Sequence, residues 1–237
     1  MRPAVHAHRQ PKSLRWLIAG AIGFSCIFVF LIFTLNESRP IMESSSEADA
    51  LARQIQRATS APALLKLTKI SFTINGHRYD WFPREERVIL HGGDPKIELQ
   101  LSTGTCGPAD GSGELLPQDQ CASSYAQWFN DQFWLHPFTK LFDPGVERGM
   151  CPQAELDGPW LCVRFTSGGA TPGDMYAIHV NEQTLPDKWK MWVSIFPLGG
   201  IEADWNEWTT VSEELRIAMT RKIGPFSIQA EIHEVIP

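Results

Sequence analysis

Polarity divides this chain at Asn36. Before that residue, positions 16–35 read WLIAGAIGFSCIFVFLIFTL, twenty residues without a charge. As a helix rising about 1.5 Å per residue, the run spans roughly 30 Å, the hydrocarbon thickness of a bilayer. The pattern predicts one transmembrane helix over 16–35, acting as a signal anchor. Beyond it, apolar positions fall into short periodic segments separated by Gly, Pro, Asn and Asp, as in a folded domain.

Ser44, Ser45 and Ser46 precede Glu47 and the stretch ADALARQIQRA. This predicts a capped helix ending at Ser60-Ala61-Pro62. Its apolar residues Ala50, Leu51 and Ile55 form a thin stripe, which suits a stalk or lid rather than core. Ile70, Phe72 and Ile74 then alternate with Lys69, Ser71 and Thr73, a half-buried strand. Asn75-Gly76 follows as a hairpin turn, because both turn positions accept positive φ. The return strand carries Tyr79 and Trp81 and stops at Pro83. A second hairpin joins 88–90 to 97–101 through His91-Gly92-Gly93-Asp94-Pro95.

Residues 103–120 are rich in Gly, Pro, Asp and Gln and read as a long surface loop. Ser123-Ser124 open a helix that places Tyr125, Trp128, Phe129 and Phe133 in the core and stops at His136-Pro137. Strands are expected over Trp160–Phe165, Met175–Val180 and 188–196. Thr210 and Glu213 form a capping box for a helix to Ile223, with Val211, Leu215, Ala218 and Met219 on one face and Gly224-Pro225 at its end. A last strand covers 226–235. The fold class is α+β: a single transmembrane helix, then a mainly antiparallel sheet with a few helices. The chain divides into a cytoplasmic tail (1–15), the anchor (16–35), a stalk with a short helix (36–62) and an exported α+β domain (63–237).

Charge sets the orientation. Arg2, Arg9, Lys12 and Arg15 precede the run, whereas Glu37, Glu43, Glu47 and Asp49 follow it. The positive-inside rule keeps the tail in the cytoplasm and exports the rest. A cleaved signal peptide is disfavoured, because the apolar run is long and ends without a small-residue site. Cys26 is a poor lipidation site, since an apolar stretch follows it, and reads as a buried inert thiol. The other four cysteines, Cys106, Cys121, Cys151 and Cys162, suggest two disulfides in an oxidising compartment. Three connectivities are open, and Cys106–Cys121 with Cys151–Cys162 closes short loops. A zinc site is disfavoured because C-x2-4-C spacings are absent. The sequence points to a bacterial inner membrane with the domain in the periplasm.

All 27 acidic residues lie at or beyond Glu37, with 17 of the 21 basic ones, so the exported part carries a net charge of −10. That disfavours nucleic acid and anionic lipid headgroups as partners and suits a basic protein.

Signatures of catalysis are missing: there is no G-x-S-x-G, G-x-x-x-x-G-K-[ST], G-x-G-x-x-G or H-E-x-x-H. No cofactor or metal site is expected. His179, His233 and Glu231 would converge only if their strands were neighbours. Glu85-Glu86 reads as a charged turn. The strand at 188–196 offers the better signal. Trp192 and Phe196 share a face with Lys188 and Lys190, and Trp205 and Trp208 follow closely. Such a face reads as a contact surface, against the alternative that another element covers it.

The functional expectation is therefore an anchored periplasmic domain that binds another protein without catalysis. Its specific form is an immunity protein that neutralises a basic secreted antibacterial effector. The competing readings are a periplasmic enzyme acting on envelope glycan or lipid and an envelope or secretion-system accessory subunit. A transmembrane sensor is disfavoured by the short tail.

Overall fold

The computed structural model describes residues 34–151, 160–167 and 171–237. The expected anchor, with Cys26, lies outside the described residues except for Thr34 and Leu35. Among the described residues, no helix is long and apolar enough to cross a membrane.

Three α-helices are described: α1 (Ser46–Thr59), α2 (Ala61–Leu64) and α3 (Gln118–Leu135). The strands are β1 (Lys69–Ile74), β2 (His77–Phe82), β3 (Arg87–Leu90), β4 (Ile97–Gln100), β5 (Thr105–Pro108) and β6 (Val146–Met150). They continue as β7 (Trp160–Phe165), β8 (Met175–Val180), β9 (Pro186–Trp192), β10 (Ile201–Ser212), β11 (Leu215–Ile223) and β12 (Phe226–Ile236). All twelve form one antiparallel sheet in the order β5-β4-β3-β2-β1-β12-β11-β10-β9-β8-β7-β6. Two meanders, β1–β5 and β6–β12, are thus joined where β1 pairs with β12. Helix α3 lies between the meanders in sequence.

Local chemistry explains the elements. Ser45 caps α1 by accepting from the Ala48 amide at 3.2 Å, and Glu47 and Asp49 suit the positive end of the helix dipole. The β1–β2 hairpin turns at Asn75 (φ 56°) and Gly76 (φ 80°), as the Asn-Gly pair predicts. Disulfides Cys106–Cys121 and Cys151–Cys162 form in sequence order, each with Cα atoms 5.5 Å apart. The first ties β5 to the start of α3.

The structure departs from the sequence reading in several places. The expected helix at 210–223 is instead the β10–β11 hairpin, with Glu213 (φ 42°) in its turn. Pairing on both sides, to β9 and β12, overrides a spacing that also fits a helix. Helix α1 is not a stalk outside the core. Ala48, Leu51, Ala52, Ile55 and Thr59 are buried, and the small alanines that complete the stripe are what made it look thin. Strand β5 sits inside the expected 103–120 loop, and α3 starts at Gln118 rather than Ser123. Strand β9 ends at Trp192, so 193–196 are not strand.

Two buried clusters occupy the inner face. One joins α1 to β6–β11 through Ile55, Phe138, Leu161, Trp189 and Trp205. The other joins α2 and α3 to β1–β5 through Phe72, Tyr79, Trp81 and Trp128. Trp134 packs against both. A third, smaller cluster lies on the opposite face of β7–β9, with Trp160, Met175, Ala177, Trp192 and the Cys151–Cys162 bridge.

That outer cluster is covered by an extended strap, residues 36–43. At one end, the Trp192 indole donates to the Glu37 carbonyl at 2.9 Å. At the other, Glu43 and Met150 exchange backbone bonds of 3.1 and 2.9 Å, which shields the edge strand β6. The strap passes so close that a Cβ on Gly149 would lie 2.3 Å from the Met42 side chain.

The carboxyl end of α3 is held by two buried bases. Arg221, on β11, donates to the Leu135 carbonyl at 2.7 Å, and its guanidinium lies 4.9 Å from the centre of the Trp205 ring. His136 meets the Arg216 carbonyl through Nε2 at 3.2 Å. Burial, helped by the nearby Arg221 charge, lowers His136 from 6.5 to about 4.

This shift sets a pH dependence. Between 6.5 and about 4 the unfolded chain binds a proton at this position and the folded chain does not. Stability is therefore complete above pH 6.5 and is lost on acidification through that window, by about 3 kcal/mol from this group. Denaturant titrations of the wild type and His136→Gln at neutral and mildly acidic pH should show a shallower acid slope in the variant.

Candidate functional site

A cleft of about 330 Å³ lies between the second half of α3 and the inner face of β6–β9. Helix α3 supplies Phe129, Asn130, Phe133 and Trp134. Strands supply Val146, Phe165, Tyr176 and Met191, and the segment after β9 supplies Val193, Ile195 and Phe196.

Clustered aromatics form the floor. Phe133 sits 5.2 Å from Tyr176, 5.7 Å from Phe165 and 5.8 Å from Trp189, between ring centres. Trp189 continues to Trp205 at 4.8 Å, edge to face. At the rim, Phe129, Ile195 and Phe196 are exposed, Ile195 by 69 %. Large apolar side chains exposed at the mouth of an apolar cleft mark a binding surface.

The polar groups of the cleft are mostly in structural use. Asp174 is buried, accepts from the Ser194 amide at 2.9 Å, and takes a hydrogen bond from the Thr171 hydroxyl. It thereby fixes the segment that carries Ile195 and Phe196. Burial, with Asp174 nearby, pushes the Tyr176 phenol well above its usual value. Lys140 and Asp143 form a loose pair at 3.9 Å on the edge. The arrangement can hold an apolar group.

A second constellation lies on the other side of α3. Asp131 is buried, accepts from the Tyr79 hydroxyl at 2.6 Å, and faces His77 Nδ1 at 2.6 Å. Gln127 donates to the same tyrosine oxygen at 3.0 Å. These contacts pin α3 to β2. On β1–β3, Asp80 accepts from Ser71 at 2.6 Å and faces His91 at 2.8 Å. Desolvation works against this carboxyl, but the bonds from Ser71 and His91 hold it below its usual value.

The six residues expected to form one contact face are not brought together. Trp192 is buried under the strap. Lys190 is bound to Glu37 at 2.8 Å. Lys188 is exposed on the same strand. Trp205 lies in the inner cluster with Trp189, on the face opposite Trp192, and Trp208 packs beside it while donating to the Pro186 carbonyl at 2.8 Å. Phe196 alone reaches the cleft. The covering element that buries Trp192 is thus an extended segment from the start of the domain.

His179 and His233 do not converge, since β9, β10 and β11 separate their strands. His179 faces Asp187 at 2.6 Å and His233 faces Thr73 at 2.7 Å. Among the described residues no group of three His, Cys, Asp or Glu is placed to hold a metal ion. The cleft is hidden in the sequence because helical spacing places Phe129 and Phe133 in the core with Trp128. The available signal was the width of the apolar face, which exceeds what one core needs.

No protein-family model matches the sequence, and neither a curated protein nor a solved structure matches it.

Floor and rim should respond differently to truncation. Phe133→Ala removes the ring that three other aromatics contact, and should cost about 2–3 kcal/mol in denaturant titration. Phe129→Ser, at the exposed rim, should stay within about 0.5 kcal/mol of the wild type.

Proposed function

We propose that this chain is a membrane-anchored, exported domain that docks a protein partner in the aromatic cleft and performs no chemistry of its own. The observation that carries the reading is the cleft itself. It is apolar, walled by rigid aromatics and rimmed by three exposed apolar side chains. A volume of about 330 Å³ suits one or two large side chains projecting from a partner, the usual form of an interface anchor.

Charge supports the kind of partner. A net charge of −10 beyond residue 35 steers a basic protein toward the domain and repels acidic ones. The specific form proposed is an immunity protein that intercepts a basic secreted effector at the outer surface of the inner membrane. Anchoring concentrates the inhibitor where such an effector arrives.

The test is site-specific photocross-linking in native cells. A photoreactive phenylalanine at position 129 or 130, both lining the cleft on α3, should yield one discrete basic protein adduct, weakened by high salt. The same group at Leu115, exposed but outside the cleft lining, should not. Adducts that are equal at all three positions, or absent from the cleft, would sink the docking reading. For the immunity form, the cross-linked partner must be a secreted protein that harms cells lacking this chain.

A further inference from the structure

The geometry points to a second membrane contact: the loop 194–199 inserts its apolar side chains into the phospholipid interface beside the anchor. This rests on reading residues 16–35 as the bilayer span.

The argument is one of tethering. The apolar run ends at Leu35, and the next two residues are already fastened to this loop. The Gly199 amide donates to the Asn36 side chain at 2.8 Å, and the Glu37 amide donates to the Gly199 carbonyl at 3.1 Å. Lys190 adds bonds of 2.8 and 3.0 Å to the Glu37 carboxylate. The Glu37 carboxylate in turn holds the Lys190 ammonium above its usual value, against the desolvation that would lower it. Gly199 and Gly200 permit this closeness: a Cβ on Gly199 would lie 2.6 Å from the Glu37 carbonyl oxygen, and one on Gly200 2.6 Å from the Glu37 Cβ. No free linker therefore separates the end of the run from the loop. Wherever Leu35 leaves the bilayer, 194–199 is at the surface.

The composition of the loop fits that position. Residues 193–201, VSIFPLGGI, contain no charge. Ile195 is 69 % exposed and Phe196 43 %, and neither is covered by another described element. Burying such side chains at the headgroup boundary is favourable by area alone. Arg39 lines the hollow between strap and loop with Asn36, Pro197 and Leu198, placing a cation at the level of lipid phosphates. Glu37, the strap's acidic group beside the loop, pairs with Lys190, which also faces Glu202 at 3.5 Å.

The test uses the full-length chain in vesicles of phosphatidylethanolamine and phosphatidylglycerol. An environment-sensitive fluorophore is attached to Cys26 of the unaltered chain, or to Ile195→Cys or Leu115→Cys in a Cys26→Ser background. The remaining four cysteines are closed in disulfides. Quenching by spin-labelled lipid is then read at each position. The expected result is strong quenching at 26 and quenching at 195 about threefold above that at 115. A lipid-buried Cys26 label with position 195 no more quenched than 115 would overturn the loop contact while leaving the anchor intact. A Cys26 label outside the lipid would overturn the anchor reading and the loop contact with it.

Discussion

At the carboxyl end of α3, a helix carbonyl meets a fully buried guanidinium. Arg221 is 0 % exposed, and burial lowers it to about 9, yet it has no carboxylate partner among the described residues. Its charge is met by the Leu135 carbonyl, the negative end of the α3 dipole, and the Trp205 ring. Its Nε and Nη1 find no hydrogen-bond partner among the described residues, so their desolvation is only partly offset. What it secures is the position of α3. That helix contributes Trp128 and Leu135 to one cluster and packs Phe133 and Trp134 against the other. Shift its end, and the floor of the cleft moves with it.

The strap plays the corresponding part on the outer face. It converts what would be an exposed patch around Trp192 and the Cys151–Cys162 bridge into a third, small core. A stalk would leave the domain free to tumble beneath its anchor. A strap that bonds β9 at one end and β6 at the other leaves little such freedom. The same residues that look like a linker in composition are therefore structural, because their backbone groups replace missing sheet partners.

Period-2 alternation made β1 legible from sequence and the Asn-Gly turn made β2 so; β7 and β8 show as short apolar runs buried on both faces, and cysteine spacing pointed to the disulfides. The Thr210–Glu213 box misled for a physical reason. Threonine, valine and isoleucine there suit a strand, but capping chemistry and a repeat of about four residues look the same in both periods until neighbours are known. The cleft was illegible because it depends on which side of α3 faces which meander. Phe129 and Trp128 are adjacent in sequence, yet one is exposed at a rim and the other is buried against Trp81 at 5.1 Å. The sequence groups Trp192 with Trp205 for the same reason: strand registry, not legible in it, puts them on opposite faces.

Phe196 ties these observations into one arrangement. It lines both the aromatic cleft and the hollow beside the strap, so the mouth of the cleft and the tethered end of the domain share a side chain. Under the proposal that the run at 16–35 spans a bilayer, a partner that fills the cleft approaches along the membrane rather than from open solvent. Holding the receptor site at a fixed height and orientation removes freedom that binding would otherwise have to remove. It also restricts the search to a surface layer, where a local concentration far above the bulk value is reached without any additional contact. An acidic domain then gains most from basic partners that are themselves drawn to anionic lipid, because both attractions lead to the same thin layer.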